Sequence, residues 1–371
     1  MKKRNSSQQS PKGPSKKGVP EGSVTIGMDL GDKTSRYCVL DGQGEVIKEG
    51  SVATSKKGMN QVFGAMARCR IAMEVGGHSP WVSRLLERMG HEVIVANARQ
   101  VKLISQSSRK DDKLDARTLG RLARIDPELL RPIRHRSEKA QMHLLEIRAR
   151  AALVDARTGL INAARGFTKG QGERLPSCDA DSLGPEELAG LPQQLQDCLR
   201  PLLETVEGMT EKIQESNAKL EQIARDEYPE TELLRQVSGV GILIALTFVL
   251  VVDDKDRFKK SRDVGCYVGL RPKRSDSGER KPQLGITKEG DRYLRTLLVQ
   301  GAQYILGYRG PDTDLRRWGL QLAARGGKNA KKRAIVAVAR KLGILLHKLW
   351  VCGEVYEPLR QATAAVQKVA A

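Results

Sequence analysis

Between Leu144 and Ile223 the apolar residues of this chain recur at helical intervals. Leu144, Ile147, Ala151, Val154, Thr158 and Ile161 step by 3, 4, 3, 4 and 3 residues, and Leu202, Val206, Met209, Ile213, Ser216, Leu220 and Ile223 step by 4, 3, 4, 3, 4 and 3. Heptad spacing lays these groups along one seam of a helix. Two long helices, antiparallel across a connection rich in Gly, Pro and acids, are therefore expected. Pro201 suits the first turn of the second helix. Ala151, Thr158 and Ser216 weaken the seam, and either an intramolecular hairpin or a coiled coil joining copies of the chain satisfies it. The flanking sequence differs in kind, so the 371 residues divide into regions 21–135, 136–230 and 231–356, with tails at 1–20 and 357–371.

The first region reads as alternating strands and helices. Val24–Leu30, Arg36–Leu40 and Glu45–Glu49, with a turn at Asp41–Gly44, form a three-strand meander. A helix over Lys57–Ala67, a strand ending at Glu74, a helix from Pro80 to Met89, a strand over His91–Ala96 and a helix over Asp112–Ile125 follow. That order matches an RNase H-like fold. Its acids are placed accordingly: Asp29 and Glu74 each close an apolar strand, and Asp112 and Asp115 share one face of the last helix. Four converging carboxylates cannot all stay ionised without a cation, and hard oxygen ligands favour Mg²⁺, with Mn²⁺ the alternative. Such ions are apparatus for phosphodiester chemistry. Asp-x-x-Asp alone is common, and a structural domain of the same fold answers the pattern too. Asp32 and Asp111 are the neighbouring alternatives.

Charge narrows the substrate. Lys plus Arg number 64 against 44 Asp plus Glu, a formal +20, which favours polyphosphate partners. No apolar stretch reaches the roughly 18 residues of a membrane span, and no secretory segment follows the basic N-terminus. The six scattered cysteines include no Cys-x-x-Cys pair and read as free thiols in a reducing compartment. Aromatic residues make up 4%, too few for base stacking to dominate binding. No Gly-x-x-x-x-Gly-Lys-Ser/Thr occurs, so no nucleotide cofactor is expected. Residues 1–20 carry almost nothing apolar and should be disordered.

The third region opens with Val237-Ser238-Gly239-Val240-Gly241 between apolar helical stretches. Gly239 and Gly241 resemble the turn of a helix-hairpin-helix, where backbone N–H groups approach a phosphate; a plain packing corner explains them nearly as well. A basic loop follows, with Arg271, Lys273, Arg274, Arg280 and Lys281 around Ser277-Gly278. These cations, with Lys288, Arg292 and Arg295 and the later Lys328, Lys331, Lys332 and Arg333, are candidates to hold nucleic-acid phosphates. A serine hydroxyl needs a base or a metal to attack, and no histidine is close in sequence. On composition alone Ser277 reads as an incidental Ser-Gly turn.

The joint order of these motifs is more specific than any one of them. Met28-Asp29-Leu30-Gly31, Met73-Glu74-Val75-Gly76, Asp112-Lys113-Leu114-Asp115-Ala116-Arg117, Gly269-Leu270-Arg271-Pro272, Ser277-Gly278 and the run Gly285–Arg295 resemble, in sequence, the DEDD transposases of bacterial insertion sequences. These are the IS110 group, related to pilin-gene invertases. The resemblance spans about Val24 to Tyr356. It implies a RuvC-like N-terminal domain, a coiled-coil middle and a mostly helical C-terminal transposase domain. It further implies Mg²⁺ on Asp29, Glu74, Asp112 and Asp115, and Ser277 as the nucleophile of a covalent serine–DNA intermediate. Ser275 lies two residues away, and Gly278 favours Ser277. Donor and target DNA, a structured noncoding guide RNA, a dimer or tetramer, and a bacterial cytoplasmic, nucleoid-associated location are likewise implied. The alternative is a RuvC-like junction resolvase or nuclease that uses water; a binding scaffold with a dead metal site is a third.

Overall fold

The structure is a computed structural model and describes residues 24–97, 112–275 and 284–360. The chain divides into two compact units, Met1–His135 and Arg136–Ala371.

The first unit is a five-stranded mixed sheet covered by helices on both faces. Its strands are β1 (Thr25–Asp29), β2 (Thr34–Leu40), β3 (Val46–Ala53), β4 (Arg70–Glu74) and β5 (Glu92–Ala96), in the order β3-β2-β1-β4-β5. β1 pairs antiparallel with β2 and parallel with β4; β2–β3 is antiparallel and β4–β5 parallel. The Asp41 carboxylate closes the β2–β3 turn, accepting from the N–H groups of Gln43 and Glu45 at 2.9 Å. Helix α1 (Lys56–Phe63) starts under a Ser55 cap and stops at Gly64, short of the Ala67 expected from sequence. Alternation sorts the strands' side chains between two cores. Ile26, Met28, Tyr37, Val39, Ile71 and Met73 face Met59 and Phe63 of α1 and Val82 and Leu86 of α2 (Ser79–Arg88). On the other face α3 (Asp112–Ile125) sets Leu119, Leu122 and Ala123 against Ala72, Ile94 and Ala96, and Ala116 against Cys38 and Leu40.

The second unit is helical. α4 (Glu138–Gly170) and α5 (Gln193–Glu227) form a hairpin. Polar pairs Glu146–Lys219, Arg150–Asn217 and Arg157–Thr210 rise along one helix and fall along the other, so the two run antiparallel. Pro201 is not in the first turn, as its sequence context proposes, but inside α5. The helix begins earlier because Leu199 and Leu203 bury against Ile161, Leu183, Leu188 and Leu191, and packing outweighs one lost backbone bond. Arg157 is also buried, donating to Thr210 Oγ1 at 3.0 Å, where the heptad pattern marks no polar position.

Helices α6 (Glu230–Arg235), α7 (Ile242–Val252), α8 (Val264–Tyr267), α9 (Arg292–Leu306), α10 (Asp314–Ala324) and α11 (Ala330–Cys352) complete the unit. α7 is buried from Ile244 to Val252 and is the axis of a core that also takes in Leu144, Ile147, Leu220 and Ile223 from the base of the hairpin. Among the described residues no helix is long and apolar enough to cross a membrane.

Candidate active site and nucleic-acid interface

Gly27 decides how the acids of the first unit are arranged. A Cβ built there would meet the Ala116 carbonyl oxygen at 1.9 Å and the Gly120 nitrogen at 2.4 Å. α3 therefore crosses β1 at near-backbone contact, and a side chain at Gly27 would point at α3. Asp29, two residues on, shares that face. In the parallel pair, Gly27 is level with Ala72, which packs on Leu119 and Ala123 of α3. Glu74, two beyond Ala72, lies on the α3 face as well. Asp29 and Glu74 thus end adjacent parallel strands, one step past the Met28–Met73 pair, on one side of the sheet.

The direction of α3 brings the third acid to the same edge. The Ala123 carbonyl accepts from Arg70 Nη1 at 3.1 Å, beside the start of β4, whereas Ala116 lies over Gly27. The helix runs against β1 and β4, so its N-terminal turn, which carries Asp115 and opens at Asp112, heads toward the strand ends. Asp115 is half-buried; the side chain of Asp112 lies outside the described residues. Among the described residues no three His, Cys, Asp or Glu stand close enough to hold a metal ion. The oxygen-only donors at this edge are nonetheless the set that a hard divalent cation takes.

Two features of this edge escape a reading by motif. Arg36 pairs with Asp29 across β1 and β2, which puts a cation beside the acid on the same face; hairpin register is the signal that locates it. Asp32 and His78 join the loops after β1 and β4, with His78 Nε2 3.4 Å from Asp32 Oδ1, and Trp81 Nε1 donating to His78 Nδ1 at 3.1 Å. Asp32 thus pairs with a histidine at the rim. Further along the face, Arg117 makes a two-point contact with Glu49. Burial and the Glu49 carboxylate push the nearby Cys38 thiol up to about 11.

Ser277, Arg280 and Lys281 lie outside the described residues, but the stem that carries them is described. Lys273 N–H donates to the Gly285 carbonyl and Thr287 N–H to the Arg271 carbonyl, both at 2.9 Å, with Pro272 bridged to Ile286. The stem's base is glycine-locked. Gly269 (φ +70°) and Gly290 (φ +72°) are left-handed, and a Cβ would meet the Glu289 carbonyl at 2.1 Å or the Tyr267 carbonyl at 1.9 Å. Arg295 Nη1 donates to the carbonyls of Val268 and Glu289, at 3.2 and 2.8 Å, so this guanidinium braces the stem. Arg271, Lys273, Arg274, Ser275 and Lys288 are exposed along it. Lys328, Lys331, Lys332 and Arg333 form a second exposed basic stretch where α11 begins. Gly239 (φ +84°) turns the chain between α6 and α7, and a Cβ there would press on the Gly301 carbonyl and the Tyr304 ring at 3.0 Å. Gly241 caps α7.

Comparison with known proteins covers both units. Residues 26–170 match the transposase model of the DEDD IS110 type, and residues 231–315 match the model described as transposase, IS116/IS110/IS902 family. The chain is 29% identical over 345 residues to the transposase for insertion sequence element IS1111A of Coxiella burnetii, covering 89% of this chain and 90% of that protein. It is 26% identical to a probable family 20 transposase of Pseudomonas aeruginosa, covering 90% and 98%. It is 30% identical to a putative transposase of Sinorhizobium fredii, y4pF/y4sB, covering 84% and 80%.

Proposed function

The chain belongs to the IS110/IS116 family of insertion-sequence transposases and is a DNA transposase, and we propose that it recombines DNA site-specifically through a covalent serine–DNA link. What supports the reading is that Asp29 and Glu74 end adjacent parallel strands on the face that α3 covers, with the N-terminal turn of α3 directed toward the same edge. The strand order 3-2-1-4-5, with three antiparallel strands followed by two parallel ones, supports assignment of this unit as RuvC-like.

The DEDD type of the matching family points to a divalent metal. Asp29, Glu74, Asp112 and Asp115 would hold Mg²⁺, which when bound neutralises charge on the scissile phosphate and polarises its oxygens. Arg36 adds a fixed positive charge at the same edge. Ser277 is the attacking group. Its Oγ–P bond forms as the P–O bond to the sugar breaks, and the serine proton accounts for the new sugar hydroxyl. Rejoining reverses the step, so bond energy is conserved and no nucleotide cofactor is required.

The basic stem around Arg271, Lys273, Arg274 and Lys288, the start of α11 and the Gly239–Gly241 turn are the surfaces proposed for nucleic acid. A structured noncoding guide RNA, pairing with donor and target, supplies the site choice. The α4–α5 hairpin, read as a coiled coil, joins copies into a dimer or tetramer. Exposed Met142, Leu145 and Phe167 on α4 support that role. The setting proposed is the bacterial cytoplasm, at the nucleoid. Strand cleavage by Asp29→Asn tests the site: activity falls to background if the acids act together, whereas Asp32→Asn keeps it.

A further inference from the structure

Two cavities of the helical unit meet on one face of α9. The larger, about 740 Å³, lies between α4 and α9, with Arg148 and Arg150 on one wall and Arg292, Tyr293 and Thr296 on the other. The smaller, about 410 Å³, is walled by Arg235, the Gly239–Gly241 turn and Tyr304. Gln300 lines both. The floor is a four-residue repeat, Arg292, Thr296, Gln300 and Tyr304, each exposed although the opposite face of α9 is core. Residues four apart share a helix face, and 12 residues at 1.5 Å each make a groove about 18 Å long.

The lining has a definite chemistry. Asp291, at the mouth, is neutralised: it caps Leu294 N–H at 3.0 Å and pairs with Arg148 at 3.2 Å and Arg136 at 3.8 Å. Arg150 donates to Asn217 Oδ1 at 2.6 Å and lines the cavity beside the half-buried Tyr293. Asp155 is the other carboxylate at the groove. Cations therefore predominate at the Arg292 end, amide and hydroxyl groups in the middle, and an aromatic ring at the far end. In a chain with 4% aromatic residues, Tyr304 is 48% exposed, and Tyr308, in the turn that follows α9, is 86% exposed with the Arg309 guanidinium 5.1 Å from its ring centre.

We infer that this groove binds an unpaired DNA strand, with its backbone along Arg148 and Arg292 and a base stacked on Tyr304. Cations tracking a backbone beside exposed aromatic faces are what single strands require. Eighteen ångströms fits about five stacked nucleotides at 3.4 Å each. Duplex DNA keeps its bases inside and cannot present their faces to a tyrosine ring at the floor of a groove. The inference rests on the family's action on DNA but on neither Ser277 nor a metal.

Fluorescence anisotropy with labelled dT12 and the full chain in EDTA tests it. Tyr304→Ala should weaken dT12 binding by about tenfold, the low-to-middle range for removing one stacked ring. Tyr304→Phe, which keeps the ring, should stay within about twofold, and Arg292→Ala should weaken dT12 binding and flatten its salt dependence. A 12-base-pair duplex should bind Tyr304→Ala within about twofold of the parent. Unchanged dT12 affinity in both alanine variants, or an equal loss on the duplex, overturns the groove. Tighter binding of rU12 than dT12, lost in the same variants, overturns its assignment to DNA. Cleavage that still depends on Asp29 would show that such a failure belongs to the groove alone.

Discussion

Gly27 and Ala116 approach so closely that a Cβ on the first would lie 1.9 Å from the carbonyl oxygen of the second. The contact fixes the height of α3 over β1, and with it the level at which the helix's first turn, which carries Asp115, stands over the sheet. A methyl group at Gly27 must push the helix off the sheet. Gly27→Ala should lower stability by about 1–3 kcal/mol, the usual range for overpacking, and should lose strand cleavage even where the chain still folds. Thermal unfolding with a cleavage assay checks both; parental melting and activity would show that the contact does not govern the site.

Metal dependence is the second prediction. Asp29→Asn removes one ligand charge, so the Mg²⁺ concentration for half-maximal cleavage should rise at least tenfold or activity should vanish, with the fold retained. Asp112→Asn with Asp115→Asn should behave alike. Full activity in EDTA would rule out the proposed ligand role.

Protonation of His347 gives a third. The imidazole is 1% exposed; its Nε2–H donates to the Lys255 carbonyl and Nδ1 meets Ser261 Oγ, both at 3.0 Å. Burial holds its pKa below the ordinary 6.5. The unfolded chain therefore binds a proton more readily than the folded one. This contribution is present above pH 6.5 and lost as pH falls through the folded value. The melting temperature should drop between pH 7.5 and 5.5, and His347→Gln should flatten that slope. An equal slope in both proteins would place the sensitivity elsewhere.

The basic surfaces give a fourth. Replacing Lys331 and Lys332 by Ala should weaken DNA binding across sequences. The slope of log affinity against log salt should fall by about 0.9 for each phosphate of duplex DNA that is no longer neutralised. A slope unchanged by the double substitution would remove α11 from the interface.

Several of these relationships were legible in the chain and others were not. Strand alternation around Ile26, Met28 and Asp29 announces which face the acid takes, and Asp112–Ile125 is marked as a helix by its own periodicity. The β1–β2 register sets Arg36 opposite Asp29, and that pairing joins two strands, so no single residue announces it. Pro201 misleads because local propensity places it at a helix start, whereas burial of Leu199 and Leu203 extends α5 beyond it. The α9 groove is composed of residues distant in sequence, so Arg148 and Tyr304 look like ordinary solvated positions until helix packing brings them to one channel. Gly239 reads in sequence as a phosphate turn, and its fold adds a steric reason, the close approach of Gly301 and Tyr304.

The serine–DNA link is what separates a recombinase from a hydrolytic nuclease on this fold, and a denaturing gel of the protein with labelled DNA and Mg²⁺ decides between them. A covalent adduct that maps by peptide analysis to Ser277 is expected. Ser277→Ala should abolish it and retain nucleic-acid binding, since only one hydroxyl is removed. Cleavage without any adduct, and near-parental cutting by Ser277→Ala, would contradict the serine link and mark the chain as one that cuts DNA with water.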